Sequence, residues 1–151
     1  MENALLINSI SLIGAFLLME GVAWFAHKYI MHGFLWKWHK DHHKPTPNTF
    51  FEKNDYFFLV FATPGILSML IGLNTNLTFL LFIGLGITLY GFTYFMIHDI
   101  FIHRRFKWFR KSNWRYLDAI QRAHKIHHKH LGQENGECFG LLWFPTKYFN
   151  R

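Results

Sequence analysis

Ten of the eleven histidines in this chain fall into two copies of one pattern, His-x4-His followed by His-x2-His-His. The first copy is His27, His32, His39, His42 and His43, the second His98, His103, His124, His127 and His128, and only His130 lies outside. Each buried imidazole has to hydrogen-bond, protonate or bind a metal. Neutral imidazole is the commonest nitrogen ligand for iron, zinc and copper, so an ordered repeat of ten predicts a two-metal site built from both halves of the chain. His130 reads as an ordinary histidine.

The 151 residues have the length of one domain, and we expect a single domain over residues 1–151. With 51% hydrophobic and 20% aromatic residues, eighteen of them Phe, the chain is too apolar for an ordinary soluble fold. Three stretches account for the excess, at residues 4–26, 56–73 and 77–97. At about 1.5 Å per residue they run to roughly 35, 27 and 32 Å, against a hydrocarbon core of about 30 Å. We therefore expect an all-α integral membrane protein with three spans. Its histidine-rich regions, residues 27–55 and 98–151, would form a cytoplasmic helical cap holding the metals. The opening Met-Glu-Asn lacks the basic region of a signal peptide and no cleavage site follows the first apolar stretch, which is expected to stay as an anchor. Without a Ser- and Arg-rich transit segment, a bacterial cytoplasmic membrane is the simplest address.

Net charge is +7, yet every Lys and Arg follows the first or the third apolar stretch. By the positive-inside rule the N-terminus and the turn at Asn74, Thr75 and Asn76 face outward, and both histidine blocks face the cytoplasm. Three spans bring the ends after residues 26 and 97 to one side, where the blocks begin at His27 and His98. This topology already explains the basic residues, and nucleic-acid binding is not expected. The lone Cys138 supplies no disulfide and reads as a packing residue in a reducing compartment.

Residues 34–44 read as a helix halted by Pro45 and Pro47. His39, His42 and His43 then share an arc facing one metal region. In the second half Ser112 or Asn113 is the expected N-cap of a helix that runs to Gly132, with Trp114, Leu117, Ile120, Gln121, His124, His127 and His128 at helical spacing. The x4 pairs fit a regular helix poorly, because an i, i+5 step sets the rings roughly 140° apart. Either the helix is distorted there or the two rings serve different metals. Residues 106–111 read as an interfacial segment, Pro64 with Gly65 as a kink in the second span, and residues 132–151 as a short cap.

An imidazole set without thiolates suits iron, zinc or copper and not calcium or magnesium. Zinc would enter the same cage in a purified sample. Glu20, an ionisable residue inside a span and seven residues before His27, is a functional candidate by default. Asp41 and Asp99 lie inside the motifs and are placed to take the second ring N–H of a ligand. Glu52, Asn54 and Asp55 mark the start of the second span.

The residues between the histidines carry a resemblance. The run Glu20-Gly-Val-Ala-Trp-Phe-Ala-His-Lys-Tyr-Ile-Met-His-Gly, then Trp38-His-Lys-Asp-His-His, Phe51-Glu-Lys-Asn-Asp, Tyr90-Gly-Phe-Thr-Tyr-Phe-Met-Ile-His-Asp, Ile102-His-Arg-Arg and Ala123-His-Lys-Ile-His-His resembles the bacterial β-carotene hydroxylases. These belong to the membrane fatty-acid-hydroxylase and sterol-desaturase group, and the likeness extends over residues 20–145. The resemblance implies a non-haem di-iron monooxygenase that hydroxylates carbon 3 of the β-ionone rings of β-carotene, giving cryptoxanthin and zeaxanthin in carotenoid biosynthesis. It implies all ten motif histidines as ligands of two iron ions, O2 as co-substrate, and ferredoxin with its reductase as electron donors. Lys107, Arg110, Lys111 and Arg115 would offer an acidic ferredoxin a basic face, and Trp24, Phe25, Phe92, Tyr94 and Phe95 could line the approach of the ring from the bilayer. The alternatives are a fatty-acid or sterol hydroxylase or desaturase of the same group and, outside enzymes, a membrane haem or metal carrier.

Overall fold

The computed structural model describes residues 2–44, 49–106, 108 and 112–150. It is helical, with no strand among the described residues. The elements are α1 (Glu2–Phe25), a π-helical segment (Ala26–Phe34), α2 (Trp36–His43), α3 (Tyr56–Asn74), α4 (Thr78–Tyr94), a second π-helical segment (Phe95–Ile102) and α5 (Arg115–Lys129). Short 3-10 turns occupy Lys53–Asp55 and Thr146–Phe149. Three helices, Glu2–Phe34, Lys53–Asn74 and Thr78–Ile102, are long and apolar enough to cross a membrane, the first with a kink at Gly33. The first and third outrun the expected spans because each α-helix passes directly into a π-helical extension.

The chain divides into two compact units. The first comprises Met1–Met19 and Tyr56–Thr93. Its helices are apolar all round, so no hydrophobic face separates core from surroundings, and small residues decide where backbones meet. A Cβ on Gly72 would run into the backbone of Leu81, and one on Gly86 would strike the carbonyl of Leu12. Glycine at these two positions is what lets α4 lie against α3 and α1. Ser68 adds a bond across the hairpin, its Oγ donating to Leu80 O at 2.7 Å. α3 runs on through Pro64.

The second unit comprises Glu20–Asp55 and Tyr94–Arg151. In α5 the buried residues Ala119, Ile120, Ala123, His124 and His127 follow one helical stripe that turns from apolar to imidazole along its length. Its apolar end packs with Tyr148, Ile126, Cys138, Phe144 and Phe149. Two Arg122 nitrogens donate to Tyr148 O at 2.9 and 2.8 Å, which fixes the chain end on this helix. Cys138 is thus a packing residue, and burial pushes its thiol up. The helix starts later than expected: Trp114 stands at the N-cap, and the Ser112 hydroxyl instead accepts Trp114 N–H at 3.0 Å in the preceding turn. Pro45 and Pro47, read as the stop after α2, lie outside the described residues, as do Lys107, Arg110 and Lys111.

Candidate metal centre

The x4 pairs come together through the π-helical segments. Such a turn closes its hydrogen bonds from residue i to i+5, so side chains five apart lie over one another instead of diverging. Leu35 N–H donates to Ile30 O at 3.0 Å and His103 N–H to His98 O at 2.9 Å, both across five residues. Ring centroids of His27 and His32 are 5.2 Å apart, those of His98 and His103 4.5 Å. The distorted-helix alternative therefore holds, and each pair stays within one group of rings. Arg104, at φ 55°, then turns the chain sharply after His103.

All ten motif histidines lie in the second unit, and nine form two groups whose potential ligand atoms are within 4.8 Å of one another. One group is His27, His32, His39, His43 and His127; the other is His42, His98, His103 and His124. Each draws on both copies of the repeat. His128 sits beside both, its ring centroid 4.5 Å from His43 and from His124 and 4.8 Å from His42 and His103. Its Nε2 is buried with no hydrogen-bond partner. His130 contributes only its backbone carbonyl, which accepts from His43 Nδ1 at 3.0 Å.

The ring nitrogens are divided in labour. In the five-histidine group every Nδ1 points at a neutral acceptor: His27 at Phe139 O (2.9 Å), His32 at Gln133 O (3.0 Å), His39 at Asn54 Oδ1 (2.7 Å), His43 at His130 O and His127 at Glu137 O (2.8 Å). For two members of the four-histidine group the acceptors are carboxylates, Glu52 Oε2 for His42 at 2.8 Å and Asp99 Oδ1 for His98 at 3.2 Å. A carbonyl oxygen only accepts, so each such Nδ1 carries the proton and the neutral ring keeps a lone pair on Nε2.

Those Nε2 atoms face each other. His27 and His39 approach to 3.0 Å, His32 and His127 to 3.3 Å, His43 and His39 to 3.2 Å, His42 and His98 to 3.2 Å, and His103 and His124 to 2.9 Å. Metal–nitrogen bonds of about 2.0–2.1 Å set neighbouring ligand atoms about 2.9–3.4 Å apart at octahedral or tetrahedral angles. The pair His32 and His127 is decisive, because both Nδ1 protons are committed to carbonyls and no proton is left for the contact. Seven such nitrogens, on His27, His32, His39, His42, His43, His98 and His127, left without a proton to share at about 1–3 kcal/mol each, would cost as much as the whole stability of a domain, about 5–15 kcal/mol. A cation between them removes that cost, and the donor set fits one.

Burial, reinforced by the neighbouring rings, holds the imidazoles in the neutral form that ligation needs. It lowers His43 to about 4, His128 to about 3, and His39 and His127 to about 2, and takes His42, His103 and His124 well down as well. Burial pushes the Glu52 carboxyl up to about 7, with the Arg105 guanidinium pulling the other way.

Among the acidic candidates, Asp99 takes a ring N–H, but Asp41 does not. Asp41 Oδ2 accepts Lys53 N–H at 2.6 Å and its Oδ1 is buried without a partner, because the α2 register points the side chain at the following turn. Glu52 and Asn54 do this work instead, though the sequence presented them as the border of an apolar stretch. Glu20 is 8% exposed and accepts Trp143 N–H at 2.9 Å, binding the C-terminal segment. That segment is therefore more than a cap: residues 130–139 bring four carbonyls to the rings. Of the five aromatics expected along a substrate path, Tyr94 lies on His98 with centroids 4.7 Å apart, while Trp24, Phe25 and Phe92 are 40%, 54% and 59% exposed.

Fold and site together define a class, the helical membrane proteins that gather clustered imidazoles of metal-binding geometry. The fatty acid hydroxylase family model matches residues 12–146. The chain is 41% identical over 141 residues to the β-carotene hydroxylase of Pseudescherichia vulneris, covering 92% of this chain and 78% of that one. It is 41% identical over 143 residues to that of Pantoea ananas, covering 95% and 78%. The chloroplastic β-carotene 3-hydroxylase 2 of Arabidopsis thaliana is 39% identical over 138 residues, covering 89% of this chain and 45% of the plant protein. No solved structure matches. The chain belongs to the fatty acid hydroxylase family, with bacterial β-carotene hydroxylases among its relatives.

Proposed function

We propose that this protein is a β-carotene 3-hydroxylase. It converts a ring C–H at carbon 3 of the β-ionone ring into C–OH, consuming O2, two electrons and two protons and releasing water, first to cryptoxanthin and then to zeaxanthin. The ten motif histidines hold two iron ions, one at the His27 group and one at the His42 group, with His128 on the second. Iron so bound supplies the activation of O2 that an unactivated C–H bond requires. Asn54, Glu52, Asp99 and the carbonyls of residues 130–139 fix tautomer and ring orientation, so that the lone pairs are in place before a metal arrives. Zinc competes for the same nitrogens in a purified sample.

One observation carries this reading: buried Nε2 atoms of His27 and His39, and of His32 and His127, face each other across 3.0 and 3.3 Å while their Nδ1 protons are committed elsewhere. The substrate class is supported by the names and identities of the relatives. We further propose that the chain acts as one domain in a bacterial cytoplasmic membrane, N-terminus outside and histidines inside, drawing its carotenoid from the bilayer and its electrons from ferredoxin and its reductase. Arg115 would then belong to the docking face. Expression in cells that accumulate β-carotene, with iron and reductant supplied, should yield cryptoxanthin and zeaxanthin. Unchanged β-carotene would sink the assignment, and a hydroxylated acyl chain in the same cells would favour a fatty-acid hydroxylase, the reading to which the family's description points.

A further inference from the structure

We infer that Arg105 is a positioning residue for the four-histidine group, holding in place the two carboxylates that receive the ring protons of His42 and His98. The inference rests on the metal-binding reading above. Arg105 grips Asp55 with both ends of its fork, Nη1 to Oδ1 at 2.8 Å and Nη2 to Oδ2 at 3.2 Å. From that anchor Nη2 lies 3.4 Å from Glu52 Oε2, and Nη1 lies 3.9 Å from Asp99 Oδ1. These are the same two oxygen atoms that accept from His42 and His98.

The backbone aims the side chain there. The left-handed turn at Arg104 is followed by Arg105 N–H donating to Asp99 O at 3.0 Å, which folds the residue back over the end of the π-helical segment. Asp55 is fixed in turn, its Oδ2 accepting Glu52 N–H at 3.0 Å. Glu52, Asp55 and Asp99 are mostly buried, at 14%, 28% and 20% side-chain exposure, and share one guanidinium. Without it three carboxylates would repel one another at close range, and the two that hold histidines would be free to turn away. A planar fork can serve several oxygens at fixed angles, which an ammonium cannot. The five-histidine group has no such device, since its ring protons go to carbonyl and amide oxygens.

The test uses the full chain in detergent, loaded anaerobically with iron(II) and assayed for iron per chain and for release to a chelator. Wild type should hold two irons. Arg105→Gln should hold about one, with release from the other position at least about tenfold faster, the scale expected for an orienting partner. Arg105→Lys should fall between, and carries the test if the glutamine variant is not recovered from the membrane. Adding Glu52→Gln to Arg105→Gln should cost little more than Arg105→Gln alone, because Glu52 acts through an oxygen that Arg105 already holds. Lys125→Ala, an exposed change on α5, should match wild type. A readout that needs no metal is the Nδ1–H proton resonance of His42 and His98 in the iron-free protein, which should shift in Arg105→Gln while those of His32 and His127 stay. Both irons retained at wild-type release rates, both lost together, or unmoved His42 and His98 resonances would overturn the role of Arg105. A wild-type chain that loads no second iron would instead sink the di-iron reading and leave the resonance test to judge Arg105.

Discussion

The two histidine groups use the same ligand atom and differ in what stands behind it. Behind the His27 group are neutral oxygens, four of them backbone carbonyls between residues 130 and 139, and three of those bonds span 87 to 112 residues of sequence. Behind His42 and His98 of the other group are carboxylates ten residues away or one, Glu52 and Asp99, governed by Arg105. A carboxylate behind an imidazole raises its basicity more than a carbonyl does. One group is thus completed only when the end of the chain folds back over it, and the other is assembled locally and biased electrically. Two metals bound here would not be equivalent.

The largest effects should come from the rings themselves. His39→Ala and His42→Ala, one from each group, should each reduce hydroxylation more than about 100-fold, beyond what losing an orienting partner costs. Product analysis in carotene-accumulating cells checks this, and near-wild-type conversion by either variant would remove its group from the chemistry. Next, Asn54→Ala should weaken metal at the His27 group and Glu52→Ala at the His42 group, each by about 10–100-fold in affinity. Chelator competition reads both, and identical effects on both metals from either variant would erase the contrast.

Proton linkage comes third. Burial depresses His43 to about 4, His128 to about 3 and His39 and His127 to about 2, so the unfolded chain takes up protons first as pH falls. The metal-free protein should therefore be fully stable above the unfolded value of about 6.5 and lose at most about 1.4 kcal/mol per ring for each pH unit below it, until His43 protonates near 4. A melting temperature in detergent that is flat from pH 8 to 5 would contradict the buried neutral rings. The smallest effect belongs to His130→Ala, which keeps the carbonyl that His43 uses and should change activity by less than about twofold.

Much of this was legible in the sequence, and the exceptions have physical causes. Apolar length announced the three spans, and helical spacing announced the stripe His124, His127 and His128 on α5. The x4 spacing told against a regular helix, but only the backbone shows that a π-turn absorbs the extra residue at His27–His32 and at His98–His103. Glu52 and Asn54 were hidden because a polar run before an apolar stretch has an ordinary explanation. Motif membership says nothing of where the Asp41 side chain points from α2, which is at Lys53 N–H. The carbonyls of residues 130, 133, 137 and 139 left no trace at all, since every residue type carries one.

That last feature bears on how the gene should tolerate change. A carbonyl cannot be altered by exchanging a side chain, so single replacements at His130, Gln133 and Glu137 would leave the acceptors in place and score those positions as spacer, while Cys138 and Phe139 are held by packing as well. Removal of one codon there would break the spacing between the oxygens and draw those beyond it off their rings. At His130, Gln133 and Glu137 the segment should thus be permissive in letters and strict in length.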